Sequence, residues 1–290
     1  MSDIASPELP TVIRDPDLLL DRVRAWQAAG ETVGLVPTMG ALHAGHLSMV
    51  ARSTAECSRT VVTIFVNPAQ FGPAEDFDRY PRQLEQDVEK LRGAGVDVVF
   101  APSTEAMYPP DFATYVEVEG LSQHWEGASR PGHFRGVATI VLKLFQAAPA
   151  DVAYFGQKDY QQAVIIHRMV ADLQLPIQIR VLPIVREADG IAMSSRNAYL
   201  TPDDRQRALV LSRSLQLAMQ LIRDGERDAR RIADRMREMI TSTEGVALDY
   251  ATLVDPTTLA EKTEVVGTTV ALVAARVGAT RLIDNEIITG

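Results

Sequence analysis

The sequence predicts an α/β protein, and three observations lead to this fold class. Over residues 1–186, short apolar runs rich in β-branched residues alternate with segments of helical periodicity. From residue 187 onwards the pattern changes to a long charged helical region and then to closely spaced strand-like runs. The hydrophobic fraction of 46% and the charged fraction of 23% are typical of a folded globular chain. We therefore expect a Rossmann-like, doubly wound and mostly parallel sheet, followed by a smaller C-terminal α+β domain.

The alternation of strands and helices supports the first part of this prediction. Apolar runs predict strands at residues 32–36, 60–66, 96–101, 152–155 and 177–185. Helical spacing occurs between them at residues 83–92, 136–147 and 160–173. Strands that alternate with helices form parallel sheets covered by those helices, so residues 1–186 are expected to form one such domain.

The change of pattern near residue 187 predicts a second domain, residues 187–290. Thr201-Pro202-Asp203-Asp204 is a helix-start signal, and the helical region after it continues to about residue 239. Candidate strands follow at residues 249–254, 268–274 and 280–283. This order predicts a small α+β unit.

The charge balance restricts the partners that the protein can have. Lys and Arg number 29 against 38 Asp and Glu, which gives a formal net charge of −9. Nucleic acid and anionic membrane surfaces are therefore unfavourable partners. Cys57 is the single cysteine, and Asp3 precedes any basic residue in an N-terminus without a signal-type apolar core. We expect a cytoplasmic protein without a targeting segment or a membrane span.

The segment 37–46 is the most informative motif, because it follows the first predicted long strand and carries His43 and His46. At the first strand-to-helix turn of a doubly wound sheet, backbone N–H groups and the positive helix end face a bound phosphate. Gly40 and Gly45 allow close approach, and two imidazoles can donate to phosphate oxygens. The alternative is a turn whose histidines only cap the helix.

Polar residues also follow the strand at 60–66. Asn67 and Gln70 suit a small polar substrate, because ligands bind beyond the carboxyl ends of such strands. The alternative is an Asx-type turn that orders the loop, which is a common use of Asn-Pro.

Two further segments carry charged groups suited to phosphate. Gly156, Lys158 and Asp159 offer close approach, a cation, and a carboxylate for ribose hydroxyls or a magnesium-associated water. Alternatively, Asp159 caps the next helix and Lys158 is solvated. At the predicted domain junction, Ser194, Ser195 and Arg196 can hold polyphosphate oxygens, and an interdomain loop with an interface salt bridge is the alternative.

Six segments in the same order resemble the pantothenate synthetase family of pantoate–β-alanine ligases, within the nucleotidyltransferase-like α/β superfamily. They are residues 37–46, 65–71, 75–82, 130–137, 155–162 and 193–197. The C-terminal residues beyond 200 match the family only in length and character. No motif position departs from the family pattern, and Ala41, Ala44 and Gln157 fall where members vary.

This resemblance implies a two-step ligation. The pantoate carboxylate attacks the α-phosphorus of ATP and expels pyrophosphate, and the β-alanine amine then attacks pantoyl adenylate to give pantothenate and AMP. The resemblance also implies a homodimer. Because an adenylate is prone to hydrolysis, the C-terminal domain is expected to act as a lid that excludes water.

The resemblance further implies which residues act. His46 is the expected proton donor, with His43, Lys158 and Arg196 as the other catalytic groups. Gln70 and Gln162 are expected to bind pantoate, and Gln70 also β-alanine. The residues expected to contact ATP are Met39, Gly40, Ala41, Leu42, His43, Ala44, Gly45, His46, Gly156, Gln157, Lys158, Asp159, Val185, Met193, Ser194, Ser195 and Arg196.

Magnesium is expected to arrive with ATP. Asp87, on the predicted helix at 83–92, is a candidate ligand, and a solvated position on that helix is the alternative. His133, in the segment 130–137, is expected to order the pantoate side of the site.

Two other functions are compatible with the histidine motif. A cytidylyl- or adenylyltransferase would also release pyrophosphate but would keep the nucleotide on its product. A non-catalytic nucleotide-binding module would bind ATP without pantoate-dependent turnover.

Overall fold

A computed structural model describes residues 8–73 and 75–289. Asp3, on which the expectation of no targeting segment rests, lies outside these residues. The described chain divides into two compact units. The first consists of the described part of residues 1–118 with Pro131–Gly156 and Ile165–Leu182. The second consists of Glu119–Arg130, Gln157–Val164 and the described part of residues 183–290. The predicted domain boundary near residue 187 stays a prediction.

The first unit contains a six-stranded sheet, counted over the described residues, and every strand pair in it is parallel. The strands are β1 (Thr11–Ile13), β2 (Val33–Thr38), β3 (Arg59–Ile64), β4 (Val98–Phe100), β5 (Val152–Gly156) and β6 (Gln178–Leu182). Their order is β1-β4-β3-β2-β5-β6, so the direction of winding reverses between β2 and β5. This sheet confirms the predicted doubly wound α/β fold. The carboxyl ends at such a reversal are where ligands bind.

Helices connect these strands and continue towards the C-terminus. They are α1 (Pro16–Ala28), α2 (Ala44–Glu56), α3 (Leu84–Lys90), α4 (Thr104–Met107), α5 (Glu126–Ser129), α6 (His133–Ala147), α7 (Tyr160–Asp172), α8 (Pro202–Arg223) and α9 (Ala229–Thr241). Throughout the part of the chain that the structure describes, none of these helices has both the length and the apolar character needed to cross a membrane.

Strand β2 lies in the interior of the sheet, which explains its apolar sequence. Val33, Leu35 and Val36 are fully buried because helices cover parallel strands on both faces. Gly34 allows helix α2 to pack directly on β2, since a Cβ at this position would lie 2.1 Å from Ser53 Oγ. The packing of α2 on β2 therefore fixes the position of Thr38, the last residue of the strand, relative to the helix.

The N-terminal elements β1 and α1 were not predicted. Strand β1 has only three residues, too few to show an alternating pattern. Helix α1 does carry a start signal, because Asp15 caps it by accepting from the N–H groups of Asp17 and Leu18 and Pro16 occupies its first turn. That signal could have located the helix.

The second unit contains an antiparallel sheet, which confirms the predicted α+β character of the C-terminal part. Its strands, in the order β7-β8-β9, are β7 (Val246–Val254), β8 (Thr268–Val277) and β9 (Thr280–Thr289). Helix α8 begins where predicted, with Thr201 Oγ1 accepting from the Asp204 N–H at 3.1 Å. The predicted helical region is split into α8 and α9, because Gly225 adopts a φ of 99° and Asp228 caps a new helix.

Strand β9 holds two segments that precede the second unit's main part in sequence. Arg281 and Asn285 are four residues apart and so lie on one face of the strand. Arg281 Nη1 lies 2.6 Å from Glu126 Oε1 in α5, and the Asn285 amide contacts the backbone of residues 157 and 158. These contacts explain why segments 119–130 and 157–164 belong to this unit.

Candidate active site

The turn after β2 places the segment 39–46 at the carboxyl end of the sheet. Thr38 Oγ1 donates to the Thr63 carbonyl oxygen at 2.6 Å and accepts from the Gly40 N–H at 3.1 Å. Gly40 and Ala41 then adopt positive φ angles of 84° and 50°. Glycine takes this conformation readily, whereas alanine does so only where neighbouring groups hold it.

Asp87 on α3 supplies that support. The Ala41 N–H donates to Asp87 Oδ2 at 2.7 Å, and the Leu42 N–H donates to Oδ1 at 2.9 Å. Gln83 Nε2 also donates to Oδ1, and Lys90 Nζ lies 3.6 Å from the same oxygen. The expectation of a solvated position is wrong, because the Asp87 side chain is fully buried. Its carboxylate holds the turn rather than facing water, a role that the sequence did not reveal.

His43 and His46 form a reciprocal cap at the start of α2. The Gly45 N–H donates to His43 Nδ1 at 3.2 Å, and the His43 N–H donates to His46 Nδ1 at 3.4 Å. The two ring centroids are 4.0 Å apart. The helix cap that the alternative interpretation of this motif predicted is therefore present. The cap also determines which ring nitrogen of each histidine carries a hydrogen.

An Nδ1 that accepts a hydrogen bond carries no proton. The hydrogen-bond pattern therefore assigns both rings as neutral imidazoles with the proton on Nε2. Each histidine can thus donate from Nε2 to an anionic oxygen. Gly45 permits this arrangement, since a Cβ there would lie 2.9 Å from His43 Cε1.

Gln70 lies at the end of a 3-10 turn, Pro68–Gln70, that follows β3. Asn67 Oδ1 accepts from the Ala69 N–H at 3.3 Å, so the predicted Asx-type turn is present. Asn67 Nδ2 also donates to Gln70 Oε1 at 3.0 Å, which directs Gln70 Nε2 towards Met39 Sδ at 3.0 Å. The turn after β3 thus meets the turn after β2.

Two neighbours fix the Asn67 turn further. Tyr108 donates its hydroxyl hydrogen to Asn67 Oδ1 at 2.7 Å, and burial raises the pKa of Tyr108, which keeps the hydroxyl protonated. Gly136 on α6 lets that helix touch the turn, because a Cβ there would lie 2.1 Å from the Ala69 carbonyl oxygen. Tyr108 was not singled out by the sequence.

His133, at the start of α6, orders the same turn, and its expected place on the pantoate side of the site stays a prediction. Its Nδ1 lies 2.8 Å from the Gln70 carbonyl oxygen, and the side chain is buried. Because a carbonyl oxygen only accepts, this contact requires the proton on Nδ1, the tautomer opposite to that of His43 and His46. His133 is therefore a structural donor.

In the second unit, residues Gln157–Asp159 form a 3-10 turn directly before α7. Lys158 Nζ lies 3.6 Å from Asp159 Oδ1, and only 20% of the Lys158 side chain is exposed. The lysine is therefore partly buried, and its role stays a prediction. Gln162 lies on α7, and the preceding Gln161 is buried and donates to the carbonyl oxygens of Leu121 and His124.

The segment around Val185 and Met193 folds back on itself in the second unit. The Met193 N–H donates to the Val185 carbonyl oxygen at 2.9 Å. Ser194 caps the 3-10 turn Ser195–Tyr199 by accepting from the Arg196 N–H at 3.3 Å. Asn197 Nδ2 donates to Glu187 Oε1 at 2.6 Å. The serine and arginine motif thus lies in a turn that local hydrogen bonds hold.

A buried ion pair anchors this segment to β9. Arg186 donates to both carboxylate oxygens of Asp284, at 2.7 and 3.1 Å. Burial raises the pKa of Asp284, and the Arg186 guanidinium opposes that shift. The pair is bidentate, which fixes the direction in which the chain leaves residue 186.

The structure brings the predicted residues together within each unit. In the first unit, the turn at 39–46 contacts both Gln70 and Asp87. In the second unit, the Met193 N–H bonds to the Val185 carbonyl oxygen. Asn285 donates to the carbonyl oxygens of residues 157 and 158. Asn285 was missed, because an isolated Asn in a strand gives no sequence signal.

The doubly wound sheet, its glycine-containing turn and the paired imidazole donors define a nucleotide-binding α/β protein. The family model described as pantoate-beta-alanine ligase matches residues 11–287. The chain belongs to this family, as the sequence motifs predicted.

Pantothenate synthetases of several organisms are similar to this chain in sequence. A pantothenate synthetase of Moorella thermoacetica is 53% identical over 266 residues, which cover 92% of this chain and 94% of the relative. One from Thermotoga petrophila is 52% identical over 258 residues, covering 89% and 92% of the two chains.

Solved structures agree with the fold. Pantothenate synthetase of Thermus thermophilus superimposes with a TM-score of 0.89 at 45% identity, covering 95% of this chain and 98% of the other. A pantoate-beta-alanine ligase of Francisella tularensis, complexed with beta-gamma ATP and beta-alanine, gives a TM-score of 0.77 at 32% identity. That match covers 96% of this chain and 97% of the other.

Proposed function

We propose that this protein condenses pantoate with β-alanine, using ATP, to give pantothenate, AMP and pyrophosphate. The observation that carries the proposal is the reciprocal cap of His43 and His46, which turns two histidines of a family motif into neutral Nε2 donors at a helix N-terminus. Family membership supports the choice of substrates.

The first step forms pantoyl adenylate. The pantoate carboxylate attacks the α-phosphorus of ATP, and the bond to pyrophosphate breaks. Negative charge then grows on oxygens of the α-phosphate and of the leaving pyrophosphate. Neutral hydrogen-bond donors at His43 and His46, together with the cations Lys158 and Arg196, stabilise this charge. The resemblance assigns His46 as the proton donor, and with a neutral ring it acts by a hydrogen bond from Nε2 to the leaving oxygen.

The other contacts with ATP follow the family assignment. Residues 39–46 contact the nucleotide through the Nε2 donors of the two histidines, because Asp87 already accepts the N–H groups of Ala41 and Leu42. Ser194 and Ser195 add hydroxyl donors, and Gly156, Asp159 and Val185 hold the nucleoside. In this scheme Gln157 and Met193 complete the nucleotide contacts.

The second step forms the amide. The β-alanine amine attacks the acyl carbon of pantoyl adenylate, and AMP leaves. Gln70 and Gln162 hold pantoate, since an amide side chain offers both a donor and an acceptor to a ligand with hydroxyl and carboxylate groups. The contact from Asn67 supports this role, because it fixes which end of the Gln70 amide is the donor.

Magnesium is proposed to reach the protein on the phosphates of ATP. Asp87 does not fit as its ligand, because both carboxylate oxygens accept backbone N–H groups of the turn. Over residues 8–73 and 75–289, no group of three or more His, Cys, Asp or Glu side chains could hold a metal ion.

A homodimer and a cytoplasmic location are also proposed. The dimer rests on the family resemblance, and the location rests on the single cysteine and the acidic composition. A molar mass in solution of twice the chain's 31.8 kDa would support the dimer.

The test is exchange of labelled pyrophosphate into ATP, with and without D-pantoate, in the absence of β-alanine. Exchange that depends on pantoate, followed by release of AMP and pantothenate when β-alanine is added, is expected. A product that keeps the nucleotide would instead identify a nucleotidyltransferase. ATP binding without turnover in the presence of all three substrates would identify a non-catalytic nucleotide-binding module.

A further inference from the structure

Asn285 is a buried polar side chain in the middle of strand β9. Only 1% of its surface is exposed, and its cross-strand partner is Leu272. Asparagine is depleted in strands, and a buried amide costs free energy unless it is hydrogen-bonded. The residue therefore needs specific partners at this position.

Its partners are the two residues before Asp159. Asn285 Nδ2 donates to the Gln157 and Lys158 carbonyl oxygens, both at 2.9 Å. Asn285 Oδ1 accepts from Gln157 Nε2 at 3.1 Å. The orientation of the amide follows from chemistry, because a reversed amide would direct its oxygen at two carbonyl oxygens.

These two carbonyl groups lie on either side of the Lys158 Cα atom in the backbone. The Gln157 carbonyl belongs to the peptide plane before the Lys158 Cα, and the Lys158 carbonyl belongs to the plane after it. Peptide units are planar, so holding both planes fixes φ and ψ of Lys158. The direction of its Cα–Cβ bond is then fixed as well.

We propose that Asn285 is a positioning residue for Lys158, because its amide holds both peptide planes around that lysine and so sets the direction from which the ammonium group reaches ATP. This inference rests on the proposed function, in which Lys158 binds the phosphates. It assigns a role in the reaction to a strand that lies beyond the six motif segments, the last of which is residues 193–197.

A purely structural role for Asn285 makes a different prediction. If the amide only satisfies two carbonyl groups, its loss lowers stability, and activity falls only as far as the protein unfolds. If the amide acts through Lys158, its loss matters only while Lys158 is present. A double-mutant cycle separates the two roles.

The cycle consists of the unsubstituted protein, Asn285→Ala, Lys158→Ala and the double variant. Pantoate-dependent pyrophosphate exchange is measured for each, well below the lowest unfolding temperature. Ile288→Ala is the matched control, because Ile288 lies on the same strand, is buried in the second unit's core and belongs to no proposed binding group.

Asn285→Ala is expected to slow exchange roughly 10–100-fold in the unsubstituted background, the range for a misplaced catalytic group. In the Lys158→Ala background the further loss is expected to be less than about threefold. The turnover number should fall while the KM for pantoate stays unchanged. Ile288→Ala should lower the unfolding temperature and leave the exchange rate unchanged.

Equal factors in both backgrounds would overturn the proposal, as would an exchange rate for Asn285→Ala equal to that of Ile288→Ala. If Asn285→Ala does not fold, Asn285→Asp takes its place, since it keeps the size and the acceptor for Gln157 but loses both donors. The same factors are expected for Asn285→Asp, and the same two outcomes would overturn the proposal.

Failure of the inference is distinguishable from failure of the proposed function. If the unsubstituted protein shows no pantoate-dependent exchange and no pantothenate formation, both fail. If it is active and the cycle shows no coupling, the ligase function stands and only the role of Asn285 is rejected.

Discussion

The paired histidines at the start of α2 obtain their chemistry from the backbone around them. Each Nδ1 accepts a backbone N–H, so each ring is neutral and carries its donor hydrogen on Nε2. A neutral donor needs no buried counter-ion before ATP arrives. The same residues thus end the turn, cap the helix and supply the donors.

Replacing His46 by alanine tests the proposed Nε2 donor to the leaving oxygen. Adenylation is expected to slow by roughly 10²–10⁴-fold, the range for a positioned donor or charge stabiliser. Single-turnover formation of pyrophosphate would be measured at saturating ATP and pantoate. A rate within about threefold of the unsubstituted protein, a difference under 1 kcal/mol, would contradict the assigned role.

Asp87→Asn tests the support of the turn at 39–46. Asparagine keeps the size but places an NH₂ group opposite one of two N–H donors, so one hydrogen bond becomes a repulsive contact. We expect the free energy of unfolding to fall by about 1–3 kcal/mol and exchange to slow roughly 10–100-fold. Glu85→Gln, at an exposed position on the same helix, is the control and should change neither. Unchanged exchange in Asp87→Asn would show that the turn does not depend on the carboxylate.

At the scale of elements, the contact between α6 and the turn at 68–70 depends on one glycine. Gly136→Ala would direct a methyl group at the Ala69 carbonyl oxygen, where 2.1 Å is available. Because neither backbone can yield easily, the free energy of unfolding should fall by about 1–3 kcal/mol. Denaturant unfolding measures this, with the exposed Gln146→Ala on α6 as a control expected within about 0.5 kcal/mol. Equal unfolding curves for Gly136→Ala would mean that the helix can shift.

The loop after β7 predicts a pH dependence. Asp255 accepts from the N–H and hydroxyl groups of Thr257 and Thr258, and the two N–H groups contribute most to lowering its pKa. A carboxyl group with a lowered pKa in the folded state stabilises above its unfolded pKa, near 4, and this stabilisation is lost as the pH falls.

The variant Asp255→Asn isolates this contribution. At pH 7 its free energy of unfolding should lie about 1 kcal/mol below that of the unsubstituted protein, as for the loss of a cap. The difference should shrink as the pH falls below about 4, because Asp255 then becomes protonated in the unfolded chain while it is still ionised in the folded protein, which favours the unfolded state. Thermal unfolding from pH 7 to pH 3 measures it, and a difference independent of pH would contradict the assignment. Asp111→Asn, at an exposed position, serves as the control.

At the scale of the whole molecule, the two units are interleaved along the chain. Segments 119–130 and 157–164 belong to the second unit although they precede its main part in sequence. Arg281 and Glu126 are 155 positions apart and yet 2.6 Å from each other. Each unit is therefore built from segments that are not consecutive in sequence.

A lid function for residues 187–290 remains a prediction, founded on the hydrolytic sensitivity of an adenylate. ATP together with pantoate is expected to lower the radius of gyration measured by solution scattering, whereas AMP alone should leave it unchanged. The same radius with and without the substrate pair would end the lid hypothesis.

The sequence was sufficient where a local pattern decides the structure. Continuous apolar runs located β2, β3 and β5 within a few residues, and the start signal at Thr201 located α8. The histidine, lysine and serine motifs identified the family, because each is a short run of residues that can be recognised from the local sequence alone.

Only the tertiary structure decided what supports those motifs. Asp87 holds Ala41 across 46 positions of sequence, and Asn285 holds Gln157 across 128. An isolated aspartate on a helix or asparagine in a strand has many possible partners, and burial selects one of them by making an unsatisfied polar group costly. The sequence by itself determined which groups are proposed to act on ATP, and the packing of distant elements determined how those groups are held.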